Sequence, residues 1–269
     1  MYIIQKTTYN IYGHERGVII KKILKKLIIA FVMFTIFFTS TNINAMASGW
    51  GFSKNKNHEV PEIGKYASIL EGTNSYYVGP NEKSVYLTFD AGYDNGMLDK
   101  ILDTLKEKNV KATFFITGDF VKRFPELVIR ISQEGHLACN HSYSHKKITS
   151  LTKDELNNDL TKLENEYYNL TGLEMIHYFR PPEGEFDRTS LLNLKELGYK
   201  TIFWSIAYKD WVVDKQSGKD YCVKTIMDNL HNGAIILMHS VSSSNQEALS
   251  TVIDKITNEG YTFKTVDSL

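Results

Sequence analysis

The chain has 269 residues, and its 31 lysines and arginines balance its 31 aspartates and glutamates. A net charge of zero, with no basic run beyond the N-terminus, gives no electrostatic footprint for nucleic acid. Apolar residues make up 42% of the chain, enough for a full core, and the length fits one domain of barrel size or two small ones.

Residues 1–47 read as an N-terminal extension carrying an export signal in its second half. Lys21, Lys22, Lys25 and Lys26 form the positive region, Leu27 to Thr39 is uncharged and apolar, and Ala45-Met46-Ala47 is a small-x-small cleavage site. The apolar stretch is shorter than the ~20 residues of a spanning helix, so a cleaved signal is expected over an anchor. The polar residues before Lys21 are long for such a signal, and initiation near Val18 or later is expected. Residues 48–83 lack strong periodicity and are punctuated by Gly64, Gly72, Gly79 and Pro80. They read as a lead-in that wraps the domain, with Trp50 and Phe52 as packing anchors.

From Ser84 onward, strands and helices alternate. Val85–Phe89 reads as a strand and Met97–Lys108 as a helix, with apolar residues at Leu98, Ile101, Leu102 and Leu105. Strands are expected at Ala112–Ile116 and His136–Cys139, separated by a helix over Phe120–Glu134 that Pro125 interrupts early. Thr152 with Glu155 three residues later is a capping-box signal opening a helix to about Leu170. A strand at Ile176–Phe179, a helix at Asp187–Leu197 stopped by Gly198, and a strand at Thr201–Ile206 follow. The chain closes with helices at Tyr221–Leu230 and Asn245–Asn258 and strands at Ala234–Met238 and Tyr261–Val266. This α/β alternation implies a parallel sheet, either closed as a barrel or doubly wound.

The polar residues fall in a telling place. Asp90 follows the first strand, His141 the third, Arg180 the fourth, Asp210-Trp211 the fifth and His239 the sixth. In parallel α/β folds the C-terminal strand ends share one face, where chemistry sits. His141 and His145 stand four apart; on a helix both rings would share one face and could hold one metal ion. Such a set suits metal-assisted hydrolysis. A divalent cation on the two imidazoles would polarise a carbonyl and acidify a water, and Asp90 would take the water's proton. Arg180 would keep Asp90 ionised, and His239, held by Asp210, would protonate the leaving amine. Backbone N–H groups around Pro182-Glu183-Gly184 could stabilise an oxyanion, and Trp211 and Tyr143 offer flat faces for a sugar ring. The two cysteines, Cys139 and Cys222, do not make a disulfide framework.

Thr88-Phe89-Asp90, Asn140-His141-Ser142-x-x-His145, Arg180-Pro181-Pro182-x-Gly184, Asp210-Trp211 and Leu237-x-His239 together resemble the polysaccharide deacetylases of the NodB-homology type, carbohydrate esterase family 4. The resemblance covers residues 84–269 and implies a single catalytic domain, a deformed (β/α)7 barrel. It also implies Asp90 as base, His141 and His145 as metal ligands, Arg180 as partner of the base, Asp210 as partner of the acid and His239 as that acid. Zinc suits the imidazoles. Two positions depart from the family pattern. Ala91 stands where most members carry a second, metal-binding acid, and Ala207 where the first acid of an Asp-x-x-Asp-Trp segment is usual. Asp94, four residues past Asp90, is a possible substitute ligand.

Thr88-Phe89-Asp90-x-Gly92-Tyr93-x-Asn95-Gly96, Trp50-Gly51-Phe52, Phe203-Trp204-Ser205-x-Ala207 and the tail Glu259–Lys264 resemble the muramic-δ-lactam-forming N-deacetylases of spore-forming bacteria. This subgroup implies peptide-stripped peptidoglycan as substrate, an N-acetylmuramoyl-L-alanine amidase acting upstream, and a location on the cell-wall or spore-cortex side of the membrane. The alternatives are a deacetylase of peptidoglycan N-acetylglucosamine or another polysaccharide, and an inactive wall-binding barrel, which Ala91 motivates.

Overall fold

The computed structural model describes residues 25–26, 47–54 and 57–269. Apart from Lys25, Lys26 and Ala47, the expected export signal lies outside the described residues. Among the described residues no helix is long and apolar enough to cross a membrane.

In chain order the elements are β1 Ser48–Gly49, α1 Tyr66–Leu70, β2 Ser75–Tyr76, β3 Ser84–Ala91, α2 Leu98–Glu107, β4 Thr113–Ile116, α3 Gly118–Arg123, α4 Pro125–Gln133 and β5 Leu137–Asn140. They continue with α5 Lys153–Thr171, β6 Tyr178–Phe179, β7 Glu185–Phe186, α6 Arg188–Glu196, β8 Lys200–Ile202, α7 Lys219–Asp228, β9 Ala234–His239, α8 Ser243–Asn258 and β10 Thr262–Lys264.

β3 is the hub of the sheet. Every residue of it is buried, as expected of a parallel strand covered on both faces. It pairs in parallel with β9 along residues 85–90, with β4 along 88–91 and with β10 along 84–86. From β4 the sheet continues in parallel through β5, β6 and β8 to β2. It curls until Ile206, just past β8, bridges Ile236 of β9, where the Leu237 N–H donates to the Ile206 carbonyl at 2.9 Å. Together with the bridge of Val78, just past β2, to Ala234 of β9, that contact closes the barrel expected from the family resemblance, and the shortness of this seam is the deformation. The C-terminal ends of β3, β5, β6 and β9 therefore meet at one mouth.

The helices follow their sequence signals. Thr152 and Glu155 form a reciprocal capping box on α5, and Gly172, in the left-handed region at φ 72°, ends it. Pro125 does more than interrupt a helix. It splits the expected element into α3 and α4, standing at the first position of the second, where a missing N–H costs nothing. The strand expected to reach Ile206 ends at Ile202 and resumes only as the closing bridge.

The segment before β3, expected to be irregular, supplies β2 to the sheet edge beside β8, and β1 pairs antiparallel with β7. Trp50 anchors it. Its ring stacks on Phe203 at 4.5 Å and packs against Tyr66, Tyr77 and Phe186, and its Nε1 donates to the Trp204 carbonyl at 2.9 Å. Phe203 and Trp204 lead from β8 toward the mouth, so this cluster supports the cavity wall. Trp50→Ala is expected to cost about 3 kcal/mol, the scale of emptying a large aromatic site. Denaturant titration checks it, and an unchanged midpoint would mean the cluster carries no stability.

Candidate active site

At the C-terminal strand ends lies a cavity of about 680 Å³. Asp90, His141, His145, Gly184, Trp211 and His239 line it together with Tyr93, Glu183, Trp204 and others. Six positions singled out in the sequence thus meet in one place.

Arg180 lies beneath the cavity and is fully buried. Its Nη1 donates to Asp90 Oδ1 at 2.8 Å, Nη2 to Thr88 Oγ1 at 2.9 Å and Nε to the Ile202 carbonyl at 3.1 Å, while the guanidinium lies over the Phe115 ring at 4.1 Å. Burial pushes the Asp90 carboxyl up, but the positive charges of Arg180, and of His141 and His239 when protonated, outweigh it and hold Asp90 below the ordinary carboxylate value. Asp90 is therefore an ionised base with one oxygen fixed on Arg180. The other, Oδ2, faces His141 Nε2 at 3.6 Å.

His141 and His145 do come together, but not on a helix. Residues 141–147 form a loop, and the rings meet edge-on at 5.1 Å. Two residues there adopt left-handed backbone, Ser142 at φ 69° and His145 at φ 53°. His141 Nδ1–H donates to the Arg180 carbonyl at 2.8 Å. That bond fixes the tautomer and leaves the Nε2 lone pair facing the cavity. Burial foremost pushes the His141 pKa down to about 4, so the ring is neutral at physiological pH, the state a metal ligand needs.

The donor set fits a divalent ion held by two imidazoles beside a carboxylate, with further positions left to water or substrate. Among the described residues there is no group of three or more His, Cys, Asp or Glu side chains arranged to hold a metal. Asp94 does not supply the missing carboxylate. Its oxygens accept the Gly96 and Leu98 N–H groups at 2.8 and 3.1 Å, which makes it the turn and cap residue that starts α2.

On the opposite wall His239 Nδ1–H donates to Asp210 Oδ1 at 2.7 Å. Asp210 Oδ2 accepts the His239 backbone N–H at 2.8 Å and Asn245 Nδ2 at 2.6 Å. Burial lowers the His239 pKa, but the hydrogen bond and charge of Asp210, and then Asp90, outweigh it and leave the ring above its ordinary 6.5. With Nδ1 committed to Asp210, the raised pKa favours the protonated ring, the form a general acid needs. Trp211, half-exposed, flanks this ring at 5.4 Å.

The other two expected substrate contacts change. Tyr143 does not line the cavity. Its hydroxyl donates to Glu166 at 3.0 Å, its ring lies between the Lys122 and Lys162 ammonium groups, and a Cβ on Gly118 would collide with it. It is a packing residue. Gly184 lines the cavity, but its N–H donates to the Pro181 carbonyl at 3.0 Å. Pro182 has no N–H, so the Glu183 N–H is the donor that turn can offer an oxyanion.

Residues that the sequence reading did not assign to the site complete the wall. Trp204 and Tyr93 line it. Asn245, in the first turn of α8, ties Asp210 to the His239 carbonyl, and its Oδ1 accepts the Tyr208 hydroxyl at 2.7 Å. Its only signal in the sequence is an asparagine just after the Ser242 cap. Both cysteines are buried and free.

Comparison with known proteins agrees with this geometry. Residues 77–202 match the polysaccharide deacetylase family model. The peptidoglycan-N-acetylmuramic acid deacetylase PdaA of Bacillus subtilis is 44% identical over 222 residues, 82% of this chain and 84% of the relative. A peptidoglycan-N-acetylglucosamine deacetylase of Bacillus cereus is 35% identical over 77% of this chain and 73% of its own length. The solved structure of Bacillus subtilis PdaA, a family 4 carbohydrate esterase, superposes with a TM-score of 0.81 at 43% identity, covering 84% of this chain and 97% of that one.

Two measurements probe the site directly. Because folding raises the His239 pKa above 6.5, the stability gained from its pairing with Asp210 is complete below pH 6.5 and lost as pH rises through the folded value. In an NMR titration His239 should titrate above 6.5, and Asp210→Asn, which removes the charge, should move its midpoint down; an unmoved midpoint would contradict this electrostatic account. At Gly184, φ is +63° and a Cβ would stand 2.8 Å from Trp204. Gly184→Ala should therefore destabilise the fold by more than ~1 kcal/mol in thermal melts, whereas a neutral effect would mean that the turn adapts freely.

Proposed function

The chain belongs to the polysaccharide deacetylases of carbohydrate esterase family 4, and from that premise we propose that it removes the N-acetyl group from muramic acid residues of peptidoglycan. The identity to the Bacillus subtilis muramic acid deacetylase over most of both chains carries the choice of sugar. The pairing of Asp90 with Arg180 and of His239 with Asp210 on facing walls carries the chemistry.

The glycan strand lies across the cavity with one sugar against Trp211, its acetamido group directed at Asp90 and His239. A divalent cation held by His141 and His145, zinc being the ion the imidazoles favour, would polarise the acetyl carbonyl and acidify the attacking water. Asp90 accepts the water's proton, and Arg180 keeps its carboxylate ionised and immobile. Glu183 lines the cavity, and its N–H would bond the developing oxyanion. His239 then gives its Nε2 proton to the departing nitrogen, while Asp210 holds the imidazolium in orientation. Acetate and a free amine result. In a muramic acid whose peptide has been removed, that amine closes on the lactyl carboxyl as a δ-lactam.

The wider setting is part of the same proposal. An N-acetylmuramoyl-L-alanine amidase must act first to clear the peptide. The Lys21–Lys26 cluster, the Leu27–Thr39 apolar stretch and Ala45-Met46-Ala47 support export to the wall side of the membrane, and the lactam product suits spore cortex. The intact base, acid and paired imidazoles argue against an inactive barrel despite Ala91.

The purified protein, given peptide-stripped and intact glycan strands, is expected to release acetate and yield muramic lactam from the stripped strands only. Asp90→Asn and His239→Ala should each lose about 10²–10⁴-fold in rate, the range for a general base or acid. Deacetylation confined to N-acetylglucosamine would replace the substrate assignment, and full activity in Asp90→Asn would overturn the mechanism.

A further inference from the structure

The histidine loop between β5 and α5 has a backbone that its own sequence does not favour. Ser142 and His145 both sit in the left-handed region, at φ 69° and 53°, where a side chain costs of order 1 kcal/mol without local compensation. Compensation comes from one carboxylate. Asp159, half-buried on α5, accepts three hydrogen bonds from consecutive residues of the loop. The Ser142 hydroxyl donates at 2.7 Å and the Tyr143 N–H at 2.8 Å, both to Oδ2; the Ser144 N–H donates at 3.0 Å to Oδ1. Ser142 Oγ, so oriented, accepts the backbone N–H of His145 at 3.0 Å. The chain of contacts runs from helix to carboxylate to hydroxyl to the backbone of the second imidazole.

His141 needs no such help. Its backbone N–H is held by the Ile116 carbonyl and its ring by the Arg180 carbonyl. His145 is exposed, and its backbone N–H is tied to the loop through Ser142 Oγ. We infer that Asp159 is a positioning residue that sets His145 beside His141 and thereby fixes the affinity of the site for a divalent cation. This rests on the metal-dependent reading of the site. Charge-assisted bonds of this kind are about twice as strong as neutral ones. Asn at this position would turn an N–H₂ toward N–H donors and leave a single accepting oxygen, so the isosteric variant tests the same bonds without changing volume.

The test uses zinc alone, titrated against a competing chelator into metal-free wild type, Asp159→Asn, Asp159→Ala and Leu156→Ala, with a thermal melt of each metal-free protein. Leu156 is buried on the same helix and contributes only packing, so its variant reports what loosening α5 does by itself. The expected result is a zinc affinity at least about tenfold weaker in both Asp159 variants, the usual scale for residues that orient ligands, with Leu156→Ala unchanged in affinity although lower in melting temperature. Asp159 variants that bind zinc as tightly as wild type would overturn the assignment. So would losses in affinity that track melting temperature equally in all three variants. A wild type that takes up no zinc would instead overturn the metal reading itself, and this inference with it.

Discussion

A guanidinium with no access to water holds this site together. Removing two charges from solvent costs several kcal/mol for each ion, and the pair is tolerable only when every donor has a partner. Each of the three Arg180 nitrogens has an acceptor, Asp90, Thr88 or the Ile202 carbonyl, and the guanidinium lies over the face of Phe115. These partners come from β3, β4 and β8, whereas Arg180 itself directly follows β6. The same residue offers its carbonyl to His141 and its N–H to Asn140 of β5. A curled parallel sheet closed by isolated bridges has little ladder at its seam, so a side chain that ties four strands beneath the mouth also keeps the mouth in shape.

From that anchor the electrostatics divide the ionisable groups into roles. Arg180 holds Asp90 below the carboxylate range, and burial holds His141 well below the imidazole range, so one is a charged carboxylate and the other a neutral imidazole. Asp210 lifts His239 above that range and keeps a proton available. His141 and His239 thus shift in opposite directions because burial dominates at the first, despite nearby Asp90, whereas the hydrogen bond and charge of Asp210 outweigh burial at the second. Environments that push titratable groups apart are what assign acid and base in a single site.

Much of this was legible in the sequence, for identifiable reasons. Asp90 and His239 stand immediately at strand ends, and β3 and β9 are long apolar runs, so their convergence followed from parallel topology. Pro125 and the Thr152/Glu155 box are local signals and acted locally. What was missed depends on contacts between distant residues. β2 is two residues long, too short for any periodicity. The four-residue histidine spacing suggested a helix, but left-handed turns at Ser142 and His145 brought the rings together instead. Tyr143 and Trp211 are equivalent as flat aromatic faces; only the Glu166 bond and the flanking lysines show that the first is spent on packing. Asp94, Asn245 and Asp159 are ordinary helix-face or turn residues until their partners are known.

The alanine at position 91 bears on the weight the histidine loop would carry. Ala91 is fully buried and belongs to the apolar core cluster that also holds Leu98 and Ile116, and its side chain cannot ligate a metal ion. On the metal-dependent reading, His141 and His145 would then carry more of the protein's share of the binding, and the affinity of so small a ligand set would depend steeply on their mutual placement. The left-handed backbone at Ser142 and His145, and the carboxylate of α5 that bonds to this loop, bear directly on that placement.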